Sequence, residues 1–237
     1  MKLRYYASKS RGLTALGWLV SKHLFSFGDY IDIQRMRFGA LRVFNDDLIL
    51  GGTGFGPHPH DNMEIVTVAL RGALKHEDSL GNSGIISAGD VQTMSAGSGV
   101  THSEMNASET EAAVILQLWI DTEHRDIKPS YDQKSFGELS PNTWHVVAAP
   151  ATNGAKHAII HQQAWVHRAV FDAGTKASYT VKNLAKDGLF LFVIDGEAAV
   201  GEQRLEKGDS LGIYETATLD IDIKTTANLL LIEMPMK

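Results

Sequence analysis

Val68-Ala69-Leu70-Arg71-Gly72 leads, after a short excursion, into Ile86-Ser87-Ala88-Gly89-Asp90-Val91. The same grammar returns as Phe192-Val193-Ile194-Asp195-Gly196 followed by Leu205-Glu206-Lys207-Gly208-Asp209-Ser210. Each copy is an apolar run that ends on Gly, then a Gly-Asp turn that opens another run. Glycine at such points accepts a positive φ, which a Cβ resists. Two copies in one chain predict an internal duplication, and so two small domains built alike. Working outward, residues 63–70, 114–120, 189–194 and 228–232 are short apolar runs divided by Gly, Asn, Asp and Ser clusters. Their length and their Val, Ile and Leu content favour strands over helices, so the chain reads as all-β. Helical turns are expected only within 16–27 and 108–112. The polar stretch 128–142, with two prolines, marks the boundary and divides the chain into domains 1–140 and 141–237.

The chain has 237 residues, enough for one large domain or two small ones. Its 28 acidic against 22 basic side chains leave a formal charge of −6, which argues against direct nucleic-acid binding. With no cysteine, disulfides, thiolate metal sites and cysteine nucleophiles are excluded. No run of 18 apolar residues occurs, and the N-terminal apolar run is too short for a secretory leader. The expectation is a soluble, cytoplasmic protein with no membrane contact.

The chemistry concentrates in two clusters that follow glycine-rich turns: Gly52-Thr-Gly54-Phe-Gly56-Pro-His58-Pro-His60-Asp-Asn-Met-Glu64 and Ser95-Ala-Gly97-Ser-Gly99-Val-Thr-His102-Ser-Glu104-Met-Asn106. Residues two apart on a strand share a face. His58 with His60, and His102 with Glu104, therefore present three imidazoles and one carboxylate to a common point. That donor set suits a divalent first-row metal with positions left open for substrate or oxygen. Pro59 lacks an amide donor and predicts an edge or bulged strand. Glu64 is a second carboxylate near the same site.

These motifs resemble a known family. Gly52-x5-His58-x-His60-x3-Glu64 is similar to the first cupin motif, and His102-x3-Asn106, with Gly89 as its opening glycine, to the second. His76-Glu-Asp-Ser-Leu-Gly-Asn82, Gly89-Asp-Val-Gln-Thr-Met-Ser-Ala-Gly97 and His102-Ser-Glu-Met105 resemble the pirin-like bicupins, a family that includes bacterial quercetin 2,3-dioxygenase-like proteins. The resemblance implies two tandem cupin, or jelly-roll β-barrel, domains. It implies that Glu104 rather than Glu64 completes the ligand set with His58, His60 and His102, with Glu64 nearby or behind the ligands. It implies one divalent transition metal, iron(II) by family precedent, with Mn, Co, Ni, Cu and Zn also accepted by such donors.

The implied function is a metal-dependent dioxygenase that cleaves a flavonol or related enolic aromatic with O2 and releases carbon monoxide. Glu104 would take the substrate's hydroxyl proton. The alternative is a non-enzymatic, metal-containing regulator that binds a protein partner. An enzyme needs a pocket that reaches the metal; a regulator needs only a surface. A monomer is expected, since two barrels can cover each other's edges.

Other histidines read more plainly. His23 and His76 are structural, His76 tying a turn through Asp78. His124, His145, His157, His161 and His167 lie at the surface or an interface. Phe25, Phe27, Phe55, Met94 and Met105 are core or pocket wall. Carrying the ligand offsets over to Gly196 and Gly208 lands on Lys182, Leu184, Ile221 and Ile223, none of them a metal ligand of the expected kind. The C-terminal domain is thus expected to be a cupin without a metal site.

Overall fold

The computed structural model describes residues 1–236, and its secondary structure is almost wholly strand. The chain opens with β1 (Lys2–Tyr6), β2 (Gly12–Leu16), β3 (Leu19–His23), β4 (Leu41–Ile49), β5 (Gly54–His60), β6 (Met63–Arg71) and β7 (Ala73–Asp78). It continues with β8 (Ser83–Ser87), β9 (Asp90–Ser95), β10 (Val100–Asn106), β11 (Ala113–Asp121), β12 (Ser130–Ser135), β13 (His145–Ala149) and β14 (Ala158–Ile159). The remaining strands are β15 (Trp165–Phe171), β16 (Lys176–Thr180), β17 (Asp187–Asp195), β18 (Ala198–Val200), β19 (Gln203–Leu205), β20 (Ser210–Tyr214), β21 (Thr218–Ile223) and β22 (Ala227–Pro235). Among the described residues the one helical element is a 3-10 turn at Ser8–Ser10. No helix of the described residues is long and apolar enough to cross a membrane.

Two compact units emerge, each assembled from separated stretches of chain. The first comprises Gly12–Gly137 and Ala148–Gln162; the second comprises Met1–Arg11, Glu138–Val147 and the chain from Gln163 onward. In the first unit a seven-stranded sheet, ordered β12-β9-β6-β11-β4-β3-β2, faces a four-stranded sheet, β5-β10-β7-β8. In the second, the order β1-β20-β17-β22-β15-β13 faces β16-β21-β18-β19. The quartet β9-β6-β11-β4 thus repeats as β20-β17-β22-β15, and each small sheet repeats strand for strand. This is the predicted duplication, and each copy is a cupin sandwich with antiparallel neighbours.

The turn glycines behave as their repetition suggested. Gly72 and Gly196 have φ of +69° and +83°, and a Cβ on either would lie 2.9 Å from Ala112 O and 2.2 Å from Thr226 O respectively. Chain direction and close packing both require glycine there.

Segments between the apolar runs differ from expectation. Residues 16–27 form no helical turn; β2 and β3 pair there as a hairpin, Leu16 opposite Leu19 and Gly12 opposite His23. Residues 108–112 are an irregular connection, held by Asn106 and Ser108 side chains accepting bonds from the amides of Ser108, Thr110 and Glu111. The stretch 128–142 contains β12, which pairs along its whole length with β9.

The two cores differ in kind. The second unit is filled by Leu189, Leu191, Leu211, Ile213, Ile221 and Ile223, none more than 2% exposed. Each such side chain contributes about 1.5–3 kcal/mol on burial. In the first unit the apolar filling is split between a cluster around Ile49, Leu74, Ile86 and Ile115 and another around Ile65 and Met94. Polar residues occupy interior positions of its strands: Asn45 and Asp47 on β4, Thr67 on β6, Glu104 on β10 and Gln117 on β11, all buried.

Candidate metal centre

β5 and β10 lie side by side and antiparallel, and the register sets His58 directly opposite His102 and His60 opposite Val100. Strand alternation brings His60 onto the face of His58. The three rings meet with centroids 4.4 Å apart for His58–His102 and 4.8 Å for each other pair. One nitrogen from each lies within 4.8 Å of the others. Imidazole nitrogens that share one ion each lie about 2.1 Å from it, so three nitrogens gathered this closely suit a single ion.

β5 is the edge strand of its sheet, as Pro59 predicts, and it also carries a bulge. Between His102 and Glu104 the pairing on β5 moves from His58 to Phe55, so Gly56-Pro57 supplies the additional residue. Such a bulge re-aims neighbouring side chains. At its start a Cβ on Gly54 would lie 2.4 Å from the Glu104 carbonyl oxygen, so only glycine lets β5 approach β10 this closely.

Two of the three rings, His58 and His102, have an outer hydrogen-bond partner. His58 Nδ1 lies 2.8 Å from the Gly56 carbonyl oxygen, to which it donates, leaving Nε2 free to face inward. His102 Nδ1 lies 3.5 Å from His76 Nδ1, and His76 Nε2 lies 3.3 Å from Asp78 Oδ2. Asp78 is fixed by the amides of Leu80 and Asn82 and by the Asn82 side chain. Burial pushes its carboxyl up, but bonds from Asn82, His76 and Leu80 outweigh this and hold it below the usual range. The relay runs Asp78 to His76 to His102, and His102 Nε2 remains buried without a partner. An orphaned buried nitrogen facing two other imidazoles fits a metal ion.

Burial lowers His102 to about 3, and the neighbouring imidazoles His58, His60 and His76 add to the effect. Burial, then His58, lowers His60 to about 4. At neutral pH both rings carry the free lone pairs a metal requires.

Glu104, two residues beyond His102 on the same face, is 1% exposed and lies outside the three-histidine cluster. Its Oε2 accepts Gln117 Nε2–H at 2.7 Å and its Oε1 the Thr67 hydroxyl at 3.3 Å. Trp119 Nε1 donates to Gln117 Oε1, which orients that amide. Burial pushes Glu104 upward, opposed by Gln117, His76, His58 and Thr67. Glu64 points elsewhere. It is three positions before Thr67 on β6 and so on the opposite face. There its Oε2 accepts the Ser95 hydroxyl at 2.5 Å and the His161 amide at 3.1 Å.

A cavity of about 270 Å³ opens onto His58 and Glu104, with Phe27, Phe55, Trp119 and Leu19 among its walls. Phe27 and Phe55 are therefore pocket wall, whereas Phe25 and Met94 are core.

In the second unit β21 pairs with β16, Ile221 opposite Ala177 and Leu219 opposite Tyr179. β16 ends at Thr180, so Lys182 and Leu184 lie beyond the paired strand, and neither β16 nor β21 carries a histidine. His167, expected at a surface, is 2% exposed and packs on Tyr179.

A pirin family model matches residues 6–120, and a quercetinase C-terminal cupin domain model matches residues 146–234. A pirin-like protein of Caulobacter vibrioides is 41% identical over 219 residues, covering 92% of this chain and 93% of its own length. The chain belongs to the pirin family. This pirin-family chain is also 36% identical over 229 residues to a quercetin 2,3-dioxygenase of Escherichia coli K12, with 96% of each covered. The crystal structure of the bacterial pirin YhhW from Escherichia coli, in complex with nickel(II), superposes with a TM-score of 0.93 at 33% identity, covering both chains fully. Two tandem cupins with a cluster of three histidines suited to a divalent metal describe this pirin-family member.

Sequence reasoning tied His76 to Asp78 but missed its contact with His102, and it passed over the far wall of the pocket. His76, His23, Asn45, Asp47 and Gln117 all face the interior of the first unit. The available signal was a polar residue at an inward position of an otherwise apolar strand, as in Val43-Phe-Asn45-Asp-Asp47 and Ile115-Leu-Gln117-Leu-Trp119.

Proposed function

We propose that this pirin-family protein is a metal-dependent dioxygenase acting on a flavonol or related enolic aromatic, with His58, His60, His102 and Glu104 holding one divalent metal. The observation that carries the proposal is the aromatic-walled cavity that reaches both His58 and Glu104. A regulator acting through its surface has no use for it. Its volume is near the lower end of ordinary small-molecule pockets, roughly 300–1,000 Å³, and its Phe27, Phe55 and Trp119 walls suit a planar ring system. The name of the Escherichia coli relative, quercetin 2,3-dioxygenase, supports the same reading. Iron(II) fits the donor set, and nickel(II), the ion bound by YhhW, draws on the same ligand types.

When bound, the metal supplies Lewis acidity toward an enolic oxygen and, if redox-active, access to O2. The protein's own contribution lies in orientation and proton handling. His58 and His102 are held by Gly56 and His76, so their lone pairs are aimed before an ion arrives. Glu104 Oε1, held only by Thr67 at 3.3 Å, is the oxygen that receives the substrate's hydroxyl proton, while Gln117 retains Oε2. Burial raises the proton affinity of Glu104, so its carboxylate form is a competent proton acceptor. The aromatic wall excludes water from the reacting enol.

The test is to measure the metal content of the purified protein and follow oxygen uptake and carbon monoxide release with quercetin, using His58→Ala as control. Metal-dependent uptake with release of carbon monoxide is expected. Bound metal with no oxygen uptake for any enolic aromatic would refute the dioxygenase assignment.

A further inference from the structure

The cavity has a second polar contact, remote in sequence from the metal cluster. Asp47 on β4 lines it at 2% exposure. The Ser21 hydroxyl bonds its carboxyl, but Oδ1 is buried with no partner. Its polar neighbours are already committed to one another. His23 Nδ1 lies 2.8 Å from Asn45 Oδ1, and His23 Nε2 lies 2.8 Å from the Thr14 hydroxyl. Gln117 is spent on Glu104 and Trp119. Of the five buried polar side chains that the larger sheet turns to the cavity (Ser21, His23, Asn45, Asp47 and Gln117), only Asp47 keeps an oxygen unmatched.

A buried acceptor without a donor costs about 1–3 kcal/mol. Such a cost persists in a folded protein where a ligand supplies the missing bond. Asp47 sits on the larger sheet, whereas His58 and Glu104 sit on the smaller sheet that faces it. The Glu104 carboxylate reaches across to the larger sheet and already holds Thr67 and Gln117 there, so Asp47 Oδ1 is the acceptor left for a further hydroxyl of the substrate.

We infer that Asp47 is a specificity-determining residue whose Oδ1 receives a second substrate hydroxyl, so that the preferred substrates are planar aromatics hydroxylated at two separated positions. This rests on the substrate reading above. A site built to bond a hydroxyl discriminates strongly against an analogue that lacks it, because its polar group is then left unpaired.

Anaerobic binding to metal-loaded protein tests the inference without turnover. The probes are quercetin and 3-hydroxyflavone, which has only the enolic hydroxyl. The metal content of every variant is measured alongside. The expected result is a quercetin to 3-hydroxyflavone affinity ratio that falls by about 10–100-fold in Asp47→Leu and largely returns in Asp47→Asn, which retains the acceptor and the shape. A ratio unchanged in Asp47→Leu at wild-type metal content, or equal losses for both probes, would overturn the role of Asp47. Failure of the wild-type protein to bind either probe would instead overturn the flavonol reading, and the assignment with it.

Discussion

Replacing His76 by Phe isolates the outer support of one imidazole from the imidazole itself. The Phe ring fills a position that is 0% exposed and keeps the contact with Tyr131, whose ring centroid lies 4.8 Å from that of His76. Asp78 keeps its three bonds from Leu80 and Asn82, so no buried carboxylate is stranded. What disappears is the acceptor 3.5 Å from His102 Nδ1. Leaving that buried N–H unmatched costs about 1–3 kcal/mol. Removing an outer-shell partner of this kind commonly lowers metal affinity about 10–100-fold, or about 1.4–2.7 kcal/mol. The two estimates agree. Apoprotein titrated with nickel(II) or zinc(II) against a competing chelator measures the change, while far-ultraviolet circular dichroism and a thermal melt of the metal-free protein report the fold. An affinity within twofold of wild type would refute the relay. A loss beyond about 10⁴-fold would show that His76 is itself a ligand and not a support.

Three further outcomes are expected. His58→Ala and His102→Ala each lose the metal while the circular dichroism spectrum is retained, because the β5–β10 ladder is made by backbone bonds; unchanged metal content in both variants would remove the cluster as the site. Glu104→Gln lowers metal affinity whereas Glu64→Gln does not, since Glu64 faces Ser95 and His161; the reverse result, read by metal analysis, would exchange their roles. Acidification separates wild type from His167→Phe. Burial, then the Lys182 charge, holds His167 near 4 in the folded state against about 6.5 unfolded, so the unfolded chain binds the extra proton between those values. Wild type should therefore lose roughly 2 kcal/mol relative to the variant between pH 7 and pH 4.5, read from urea midpoints at those two values; a difference that does not change with pH would mean that His167 is not held neutral.

The parts of this molecule that were legible in its sequence are those governed by short-range rules. Alternation along a strand is enough to pair His58 with His60 and His102 with Glu104, and repeated Gly and Gly-Asp turns disclose two like sandwiches. What escaped depends on long-range pairing. The β2–β3 hairpin lies where a helical turn was expected, because Gly17-Trp18 closes a tight turn whose strands gain their reason only from β4 alongside. The polar run at 128–142 looks like a linker, yet Tyr131 and Gln133 are half-buried because β12 borders β9. His167 has no patterned neighbour in sequence; β16 brings Tyr179 to it, and Tyr179 is in turn bonded to Glu233 of β22. Asp47 looks like one of two adjacent acidic residues, and only its inward parity on β4 separates it from Asp46.

The pairing of β1 with β20 joins nearly opposite ends of the chain, Lys2 beside Tyr214 and Tyr6 beside Ser210. Tyr6 packs on Phe190, and the Tyr5 hydroxyl and Ser8 amide both bond to Asp209. During synthesis the first strand therefore waits until β20 has been made. The entropy of closing so long a loop grows only logarithmically with its length, about 0.6 kcal/mol per doubling; the larger consequence is one of timing. A nascent chain holds β1 unpaired while the first sandwich forms, and β20 emerges with an open edge that β1 alone caps. Trimming the first six residues leaves every strand of the first unit in place but converts Ser210–Tyr214 into a permanent free edge, the kind of template on which separate molecules add to one another.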